Sequence, residues 1–395
     1  MEYDIIVCGG GVSGVCAAIS AARYGARVLL IEQENCLGGT WTSGLIAWML
    51  DVKQKKEQLV NEIIKRLERA GEGRFARGGA FLFEPEAMKR LLDELCMEAG
   101  VEVRFHTFFC GILKQGSYVR AVQTVSKSGK ETFCGRYFVD ATGDGDVCAA
   151  CGAEYMIGND EGKAQPMSMF AIVDGLKQEE LEEFDNSLEY SQDLTPKQKL
   201  RAELVRAGFA PSQQEPGMYY LYNDVFLLTM NHVYGVLGTS AEDLTKATML
   251  ARAEINAAVN ALRGLGGIWS NIRLVSTAPS IGVREGRRIV GKYMLTREDV
   301  INCRHFDDSI CDACFCIDIH ALSKENKLPY EAESEEVERH YQIPLRAAEC
   351  KGIDNLFMTG RCISGDFFAH ASYRVSGNAA VIGENIGKYI AKKVR

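Results

Sequence analysis

YDIIVCGGGVSGVCAAISAARYGARVLLIE, residues 3–32, places a short apolar run before a cluster of glycines and a second apolar run before an acid. Residues 15–22, between the two runs, are small and compatible with a helix, and Gly25 follows them as a stop signal. A strand, a glycine turn, a helix and a second strand within about thirty residues make a βαβ unit. The stretch therefore predicts an α/β fold built around a parallel sheet.

The glycine pattern Gly9-x-Gly11-x-x-Gly14 has a physical explanation at each position. One glycine permits the tight turn, the next lets the backbone approach a pyrophosphate, and the third packs the helix against the strand. The helix N-terminus then offers N–H groups and a partial positive charge to phosphates. Glu32, eighteen residues after Gly14, ends the second strand, where a carboxylate binds ribose hydroxyls. We predict a dinucleotide site; the alternative is a glycine-rich turn in another kind of α/β protein.

Three further segments favour a flavin dinucleotide over NAD. Residues 37–44, LGGTWTSG, follow the Glu32 strand at once, and adjacent glycines there would let the backbone approach the pyrophosphate and ribityl chain. Residues 138–146 and 356–361 are apolar strands that end in glycine turns, and residues 376–380 open a helix. Only one dinucleotide fingerprint is clear, so we expect no second nucleotide domain for NAD(P)H.

The order of these segments predicts a discontinuous architecture. We expect an α/β fold whose Rossmann-type FAD-binding domain has a parallel sheet and a small antiparallel meander, at residues 109–125 and 131–139, plus an inserted α+β substrate domain. The FAD-binding domain takes residues 1–165, with a helical excursion over 47–79, and returns at 347–395. The substrate domain takes 166–346. Within these, we expect a helix over 47–70 and a strand over 233–237.

Composition excludes several function classes. The chain has 395 residues, 47% of them hydrophobic, and a formal net charge of −8, which argues against phosphate-backbone binding and nucleic acid. No leader and no run of about 18 apolar residues is present, so we expect neither secretion nor a membrane span. Fourteen cysteines then favour a reducing, cytoplasmic location. The glutamate-rich run at 331–338 is expected to be solvated.

Taken together, the motifs resemble the two-domain FAD oxidoreductases of the glutathione-reductase structural class. Within that class the chain resembles the bacterial FAD-dependent oxidoreductase family often found beside carbohydrate-degradation genes. Residues 279–291, PSIGVREGRRIVG, are the most specific part, and IDIH at 317–320 and KGIDNL at 351–356 match as well. The resemblance spans nearly the whole chain, except for about 179–214.

The resemblance implies FAD as the cofactor and assigns residues to it in order. The pyrophosphate lies at the first turn, the adenosine ribose at Glu32, and the isoalloxazine near the last helix start. The residues assigned along the cofactor are Gly9, Gly11, Val12, Ser13, Gly14, Glu32, Gly38, Gly39, Thr40, Asp140, Thr142, Gly143, Gly360, Arg361, Gly377 and Asn378. A helix N-terminus beside the flavin would stabilise the negative charge of its reduced form.

The catalytic candidates are His370, Tyr373, Arg374 and Arg284, with His232 as a weaker one. An arginine could bind a carboxylate or polarise a carbonyl, while a histidine or tyrosine could exchange a hydroxyl proton. Two alternatives stay open: Arg284 could pair with the neighbouring Glu285 as a structural ion pair, and His232 could be a satisfied core or surface histidine.

The cysteines do not predict a metal site. Cys311-x-x-Cys314-x-Cys316, with Cys303 nearby, could supply ligands for zinc or an iron–sulfur cluster, but the spacing matches no common template. We therefore expect free thiols and no metal, with a metal or cluster as the alternative. No CxxxxC pair follows Gly39, which argues against disulfide reduction.

The sequence therefore predicts an FAD-dependent oxidoreductase that transfers a hydride between flavin N5 and a small polar substrate, hydroxylated or sugar-like. The alternatives are reduction of an activated C=C bond and a non-catalytic, FAD-binding electron carrier. The expected partners are a small-molecule substrate and an unidentified electron acceptor or donor, and a homodimer is left open.

Overall fold

The structure is a computed structural model, and it describes residues 2–53, 57–76, 79–187, 195–324 and 339–395. The glutamate-rich run at 331–338 lies outside these ranges. The strands are β1 (Glu2–Cys8), β2 (Val28–Ile31), β3 (Trp48–Met49), β4 (Gly73–Phe75), β5 (Phe81–Phe83), β6 (Glu102–Arg104), β7 (Phe108–Gln115), β8 (Tyr118–Ser126), β9 (Gly129–Asp140), β10 (Tyr155–Met156), β11 (Phe170–Asp174), β12 (Gly217–Tyr222), β13 (Val225–Thr229), β14 (Arg273–Thr277), β15 (Arg288–Ile289), β16 (Ser309–Phe315), β17 (Arg339–Pro344) and β18 (Leu356–Met358). The helices are α1 (Val12–Arg23), α2 (Gln58–Ala70), α3 (Pro85–Ala99), α4 (Asp146–Ala150), α5 (Gln178–Leu181), α6 (Thr195–Arg206), α7 (Ala241–Gly264), α8 (Arg297–Ile301), α9 (Phe367–Tyr373) and α10 (Ser376–Val394).

The main sheet has the order β6-β2-β1-β9-β8-β7, and β18 also pairs with β9. Strands β6, β2, β1, β9 and β18 are parallel neighbours, whereas β7, β8 and β9 form an antiparallel meander. The pairs Cys8↔Ile31, Cys8↔Asp140 and Met358↔Asp140 align the carboxyl ends of four strands at one edge. Ligands of open α/β sheets bind outside this edge.

Strand β9 explains how the parallel and antiparallel parts form one sheet. Its first half pairs antiparallel with β8, and its second half pairs parallel with β1 and β18. The predicted parallel sheet with an attached meander is therefore confirmed in its main features.

Two predicted elements are wrong. Residues 47–53 are not helical, because β3 and a loop occupy them; α2 begins at Gln58. The Gly377 N–H donates to the Leu50 carbonyl at 3.2 Å, so tertiary contact with α10 determines this loop rather than helix propensity. The predicted strand over 233–237 forms only an isolated bridge between Val233 and Met167, and Gly235 then turns the chain at φ +66°.

A second, antiparallel sheet has the order β12-β13-β11-β14. Helix α6 contacts β12 and helix α7 contacts β14, and buried Phe226, Met218 and Trp269 fill the space beneath them. Strands β16 and β17 form a separate hairpin that packs on α10. The hairpin and the second sheet both face the carboxyl edge of the main sheet through residues described below.

Helix α10 packs against α1 almost backbone to backbone. A Cβ added at Gly383 would lie 2.0 Å from the Ser13 carbonyl oxygen, and one added at Gly387 would lie 2.2 Å from that of Ala17. Larger side chains cannot occupy these two positions without separating the helices. The close packing holds the N-terminus of α10 beside the first glycine turn.

Candidate functional site

The three fingerprint glycines differ in what a side chain would meet. A Cβ at Gly9, which has φ +101°, would lie 2.3 Å from the Ala141 oxygen, and one at Gly14 would lie 1.9 Å from the Gly9 oxygen. These two glycines are required by the packing of strand, turn and helix. A Cβ at Gly11 would meet no atom of the described residues within 4 Å. Gly11 therefore borders open space.

That open space lies at the N-terminus of α1. Gly11 is the N-cap residue, and no side chain of the described residues caps the helix. The first N–H groups of a helix have no intrahelical acceptor, so those of Val12 and Ser13 remain available to an anionic ligand. The arrangement is a cradle for a phosphate group.

Two other groups close this cradle. Glu32, almost fully buried, accepts hydrogen bonds from the Gly10 N–H at 2.5 Å and the Glu34 N–H at 2.8 Å, and burial raises the pKa of its carboxyl group. Gly38 forms a β-bridge with Gly11, and a Cβ at Gly39 would lie 2.9 Å from the Gly11 Cα. The second glycine pair thus lies directly against the first turn, as a close backbone approach to a pyrophosphate requires.

Asp140 shapes the neighbouring turn from the interior. Its carboxylate accepts hydrogen bonds from the Thr142 N–H and hydroxyl, the latter at 2.7 Å, and from the Cys148 N–H at 2.8 Å. The side chain has no exposed surface, and burial raises its pKa. Asp140 therefore fixes Thr142 and Gly143 in place and offers no surface of its own to a cofactor.

Arg361 connects this turn to a distant segment. Its Nε donates to the Gly143 oxygen at 2.9 Å, its Nη2 to Asp144 Oδ1 at 2.8 Å, and its Nη1 to the Val283 oxygen at 2.5 Å. The preceding Gly360 has φ +80°, and a Cβ there would meet the Ser13 hydroxyl at 2.5 Å. Arg361 is thus a bridge between the turn of Gly143 and the residue before Arg284.

The N-terminus of α10 completes this side of the site. A Cβ at Gly377 would lie 2.2 Å from the Leu50 oxygen, and Asn378 is fully buried with its Oδ1 accepting from the Cys311 thiol at 3.6 Å. Together with the cradle at Gly11, the acid at Glu32 and the glycines at 38 and 39, the residues fit a bound dinucleotide.

A cluster of charged side chains lies next to this region. Arg374 is the C-cap residue of α9, two residues before α10, and its Nη2 donates to the Asp318 carbonyl at 2.8 Å. The same Nη2 lies 3.5 Å from Asp318 Oδ2, which in turn lies 3.4 Å from His320 Nε2. Arg284 Nη1 donates to the Pro166 oxygen and to the Ser168 hydroxyl, both at 2.7 Å. We call Arg284, Arg374, Asp318, His320 and His232 the polar cluster.

His232 belongs to the cluster through its ring. The rings of His232 and His320 lie edge to face with centroids 5.3 Å apart, and His232 Nδ1 is 3.2 Å from the Tyr234 hydroxyl. His232 Nε2 has no hydrogen-bond partner among the described residues. The alternative of a satisfied core histidine therefore does not describe this side chain.

Part of the polar cluster is accessible, and the space that its side chains border is called the cleft below. The Asp318 side chain keeps 46% of its surface accessible and that of His320 keeps 27%. Burial nevertheless has the largest influence on the pKa of both groups, so protein atoms surround them at slightly longer range.

The charges in the cleft shift one another. Burial, and then the neighbouring Arg374 cation, lowers the pKa of Arg284 to about 10. Burial, and then Arg284, lowers the pKa of His320 to about 4, so the imidazole is neutral near pH 7. Burial acts to raise the pKa of Asp318, but His320 and the two arginines outweigh it and lower the pKa, which keeps the carboxylate ionised.

The other two catalytic candidates lie outside the cleft. His370 has no exposed surface, its ring packs against Tyr373 with centroids 5.4 Å apart, and burial places its pKa well below the usual value. The Tyr373 hydroxyl donates to the Ile363 oxygen at 2.8 Å, and its side chain is 1% exposed. Neither side chain has surface exposed to a substrate. The Tyr373 hydroxyl is satisfied, whereas both ring nitrogens of His370 are buried without a hydrogen-bond partner among the described residues.

Glu285 forms an ion pair, but not with its neighbour Arg284. Its carboxylate pairs with Arg288, three residues later, and accepts a hydrogen bond from the Gln165 N–H at 3.1 Å. The alternative of an Arg284–Glu285 structural pair is therefore wrong. Arg284 has only neutral hydrogen-bond partners among the described residues.

Sequence reasoning missed Asp318, His320 and Gln165 as site residues. Gln165 Oε1 accepts from the His320 N–H at 3.0 Å and from Arg374 Nη2 at 3.2 Å, and so links two members of the polar cluster. The pattern Ile317-Asp318-Ile319-His320 contained a signal, because alternation puts both polar side chains on one face of an extended segment. Nothing in the sequence near Gln165 predicts its position.

His320 makes the stability of the protein depend on pH. Its pKa of about 4 lies below the value of about 6.5 for an unfolded histidine, so between these values the unfolded state binds more protons. The free energy of unfolding therefore falls as the pH drops from about 6.5 to about 4. We expect His320→Gln to lose less stability than the parent between pH 6.5 and 4.5, as measured by urea denaturation.

The same comparison carries its own control. His232, whose pKa is also lowered by burial and Arg284, is present in both proteins and contributes equally to both. Asp318 and the two arginines keep their charges over this pH range. Equal losses in parent and variant would show that His320 protonates freely in the folded cleft.

Two further kinds of feature were considered among the described residues: a metal site formed by cysteines and a helix that crosses a membrane. None of the fourteen cysteines, all of which lie in the described ranges, forms a disulfide, and within these ranges no three or more His, Cys, Asp or Glu side chains lie close enough to hold a metal ion. Cys314 Sγ lies 3.3 Å from His340 Nε2 on the neighbouring strand. In the part of the chain that the structure describes, no helix has both the length and the apolar character needed to cross a bilayer.

Comparison with known proteins places this geometry among flavoproteins. A family model described as "FAD dependent oxidoreductase" matches residues 4–395. The thiamine thiazole synthase of Aeropyrum pernix is 30% identical over 155 residues, which are 36% of this chain and 55% of that protein. A digeranylgeranylglycerophospholipid reductase of Thermoplasma volcanium is 28% identical over 168 residues, 34% of this chain and 41% of that protein. These curated relatives are thus matched over about half of their length.

Solved structures share the fold over the whole chain. A geranylgeranyl bacteriochlorophyll reductase-like protein from Thermoplasma acidophilum has a TM-score of 0.51 at 12% identity, covering 100% of this chain and 78% of that one. A flavin-dependent brominase has a TM-score of 0.51 at 11% identity, covering 100% and 80%. At such identities the likeness concerns the fold alone.

Proposed function

The chain belongs to the FAD dependent oxidoreductase family, and we propose that it transfers a hydride between FAD and a small polar organic substrate bound in the polar cluster. When bound, FAD supplies the N5 atom that accepts or donates the hydride. The observation that carries the proposal is the cleft of Arg284, Arg374, Asp318 and His320 beside the dinucleotide cradle. A protein that only stored electrons would have no need of a polar cavity at this place.

Two structural connections support a position of the cleft next to the flavin. Arg361 holds the Val283 carbonyl, so Arg284 follows directly on a residue tied to the turn of Gly143. Arg374 lies immediately before α10, whose N-terminus the family resemblance assigns to the isoalloxazine. The cleft and the cofactor site thus share their supporting residues.

The fold assignment that goes with this proposal is also finer than the matched family. We assign the chain to the glutathione-reductase structural class and, within it, to the bacterial branch associated with carbohydrate degradation. Residues 166–346, which contain the second sheet and the β16–β17 hairpin, then form the substrate domain. Four members of the polar cluster come from that range, which supports the assignment: Arg284, His232, Asp318 and His320.

Each residue of the cleft has a distinct task in oxidation of a hydroxyl. Neutral His320 accepts the hydroxyl proton, and Asp318, ionised and 3.4 Å away, orients the imidazole and stabilises its charged form. Arg284 and Arg374 bind substrate oxygens. Gln165 positions the His320 backbone and Arg374 together.

The preferred substrate is a small hydroxylated compound, with sugars among the candidates. Reduction of an activated C=C bond is a second candidate, favoured by the occurrence of two arginines beside a histidine that could return a proton. The same residues serve both directions, and the identity of the compound that reduces or oxidises the flavin separates them.

Several partners follow from the proposal. A hydride taken from the substrate must leave again, so a second electron acceptor or donor is required. Fourteen cysteines that form no disulfide in the described ranges support a reducing cytoplasmic location. A homodimer remains a proposal that oligomeric state in solution would test.

The test is anaerobic titration of the purified flavoprotein with sugars, glycosides, hydroxy acids and unsaturated acids, followed by the flavin absorbance. We expect one donor class to bleach the flavin, and His320→Gln to slow the bleaching by about 100-fold or more, the usual worth of a general base. His340→Gln, on β17 and outside the cleft, is the matched control and should bleach at the parent rate.

Two outcomes would contradict the proposal. Flavin that no compound in the panel reduces, but that a partner protein reduces, would favour the electron carrier. Absence of flavin after reconstitution with FAD would exclude the cofactor assignment itself.

A further inference from the structure

We propose that the substrate is a small carboxylic acid whose carboxylate binds between Arg284 and Arg374. The inference rests on the proposed function, because it names the substrate class of that same cleft. It would make the substrate a hydroxy acid or an unsaturated acid in preference to a neutral sugar.

The first support is the charge balance of the cleft. Arg284 and Arg374 bring two positive charges, Asp318 brings one negative charge, and His232 and His320 are neutral near pH 7 because burial lowers the pKa of both. Glu285 and Arg288 neutralise each other. Among the described residues of the cluster, one positive charge is therefore left without a counter-ion, and a buried charge is costly unless it is paired.

The second support is the hydrogen bonding of Arg284. Both of its bonds to described residues use Nη1, and both acceptors are neutral, the Pro166 carbonyl and the Ser168 hydroxyl. No carboxylate of the described residues forms an ion pair with it, and its Nε and Nη2 make no hydrogen bond with them. The Nε–Nη2 edge of a guanidinium matches the two oxygens of a carboxylate.

The third support comes from the groups around that edge. Arg284 Nη1 donates to the Pro166 oxygen and Arg374 Nη2 donates to the side chain of the adjacent Gln165, so the two guanidinium groups lie near each other. Two buried cations need counter-charges, and Asp318 supplies one. His232, 92% of whose surface is buried, directs an Nε2 without a partner in the described chain into the same cluster.

The size of the unbalanced charge distinguishes carboxylate from phosphate. A carboxylate carries one negative charge at neutral pH, which equals the surplus in the cleft. A phosphate monoester carries close to two and would leave the cleft net negative beside the ionised Asp318. The structure therefore favours a monoanionic oxygen pair, and inorganic phosphate serves as the discriminating probe.

The test measures binding and turnover separately on the FAD-loaded protein. The probes are acetate, propionate, inorganic phosphate and the neutral isosteres acetamide and propionamide, and binding is followed by the perturbation of the flavin absorbance spectrum. We expect the carboxylates to bind at least tenfold more tightly than their amides and than phosphate. Arg284→Met and Arg374→Met should each weaken carboxylate binding at least tenfold.

The matched control is Arg273→Met. It removes an exposed arginine of β14 that pairs with Asp174 of β11, outside the polar cluster. It should bind the carboxylates as the parent does. Urea denaturation of all three variants separates loss of binding from loss of folding.

The outcomes separate this proposal from the proposed function. Amides that bind as tightly as carboxylates, phosphate that binds more tightly, or carboxylate binding unchanged in both arginine variants would each overturn the carboxylate site. A neutral sugar that bleaches the flavin, with no carboxylate binding, would keep the oxidoreductase and overturn the inference. Arginine-dependent carboxylate binding in a protein whose flavin no donor reduces would keep the inference and overturn the proposed function.

Discussion

Gly11→Val is expected to leave the protein folded and to weaken its binding of FAD by about 100-fold or more. A side chain at Gly11 meets no atom of the described residues within 4 Å, and the backbone there, at φ −64° and ψ −176°, is open to any residue. The valine methyl groups would fill the space beside the uncapped N–H groups of α1, which a pyrophosphate needs. A 100-fold loss corresponds to about 2.7 kcal/mol.

The measurement is a fluorescence titration of apoprotein with FAD, together with urea denaturation of the apoprotein. Gly14→Val is the contrasting variant, since a Cβ there would lie 1.9 Å from the Gly9 oxygen and should prevent the turn from packing. We expect Gly14→Val to lose stability and Gly11→Val to keep it within about 1 kcal/mol. FAD binding by Gly11→Val within tenfold of the parent would place the pyrophosphate elsewhere.

The difference between these two glycines shows what the sequence could and could not predict. The strand, turn and helix of residues 3–32 depend on neighbours in the chain, so their pattern alone predicted β1, α1 and β2. The spacing also assigned Gly11 to the backbone approach and Gly14 to helix packing. It could not predict that a side chain at Gly9 would meet Ala141, more than a hundred residues away.

The cleft was less predictable than the cradle for a similar reason. Arg284 and Arg374 were both candidates, but nothing local indicates that they meet, because a loop of the second sheet and the end of α9 bring them together. His370 looked more suitable than His320, since it lies in the segment between Gly360 and α10. The structure buries His370 completely and leaves His320 accessible.

The loop before α2 is the reverse case, in which local sequence predicted a helix that a tertiary contact prevents. Residues 47–57 have helical propensity, yet residues 50 and 51 cross the start of α10, where Gly377 allows a backbone approach within reach of the Leu50 oxygen. A contact over more than three hundred residues outweighs a preference worth tenths of a kcal/mol per residue. Only the glycine at 377 gave a hint of it.

Two arginines of the motif VREGRR at 283–288 have different roles. Arg284 borders the cleft, whereas Arg288 binds to other parts of the fold. Arg288 is almost fully buried and donates to the Gly365 oxygen at 3.1 Å and to the Gly158 oxygen at 2.8 Å, besides its ion pair with Glu285. It thereby joins three separate parts of the chain. Arg284, four residues earlier in the same motif, binds only Pro166 and Ser168 among the described residues and borders the cleft.

We therefore expect Arg288→Met to destabilise the protein by about 3–5 kcal/mol, the range for breaking one side of a buried ion pair. The cause is the Glu285 carboxylate, which has no exposed side-chain surface and would be left without its partner, although burial already raises its pKa. The double variant Glu285→Leu with Arg288→Met removes both charges, so it should recover a large part of that loss. The measurement is the urea midpoint of each protein at pH 7.

Arg284→Met is the comparison variant for the destabilisation expected of Arg288→Met. Since Arg284 leaves no carboxylate unpaired among the described residues, its removal should cost far less stability than that of Arg288 while it weakens substrate binding. If the two single variants were equally unstable, Arg284 would have to be counted with the structural pair, and the cleft would lose its anion-binding arginine. If the double variant were as unstable as Arg288→Met, the lost bonds to Gly365 and Gly158 rather than the stranded carboxylate would be the cause.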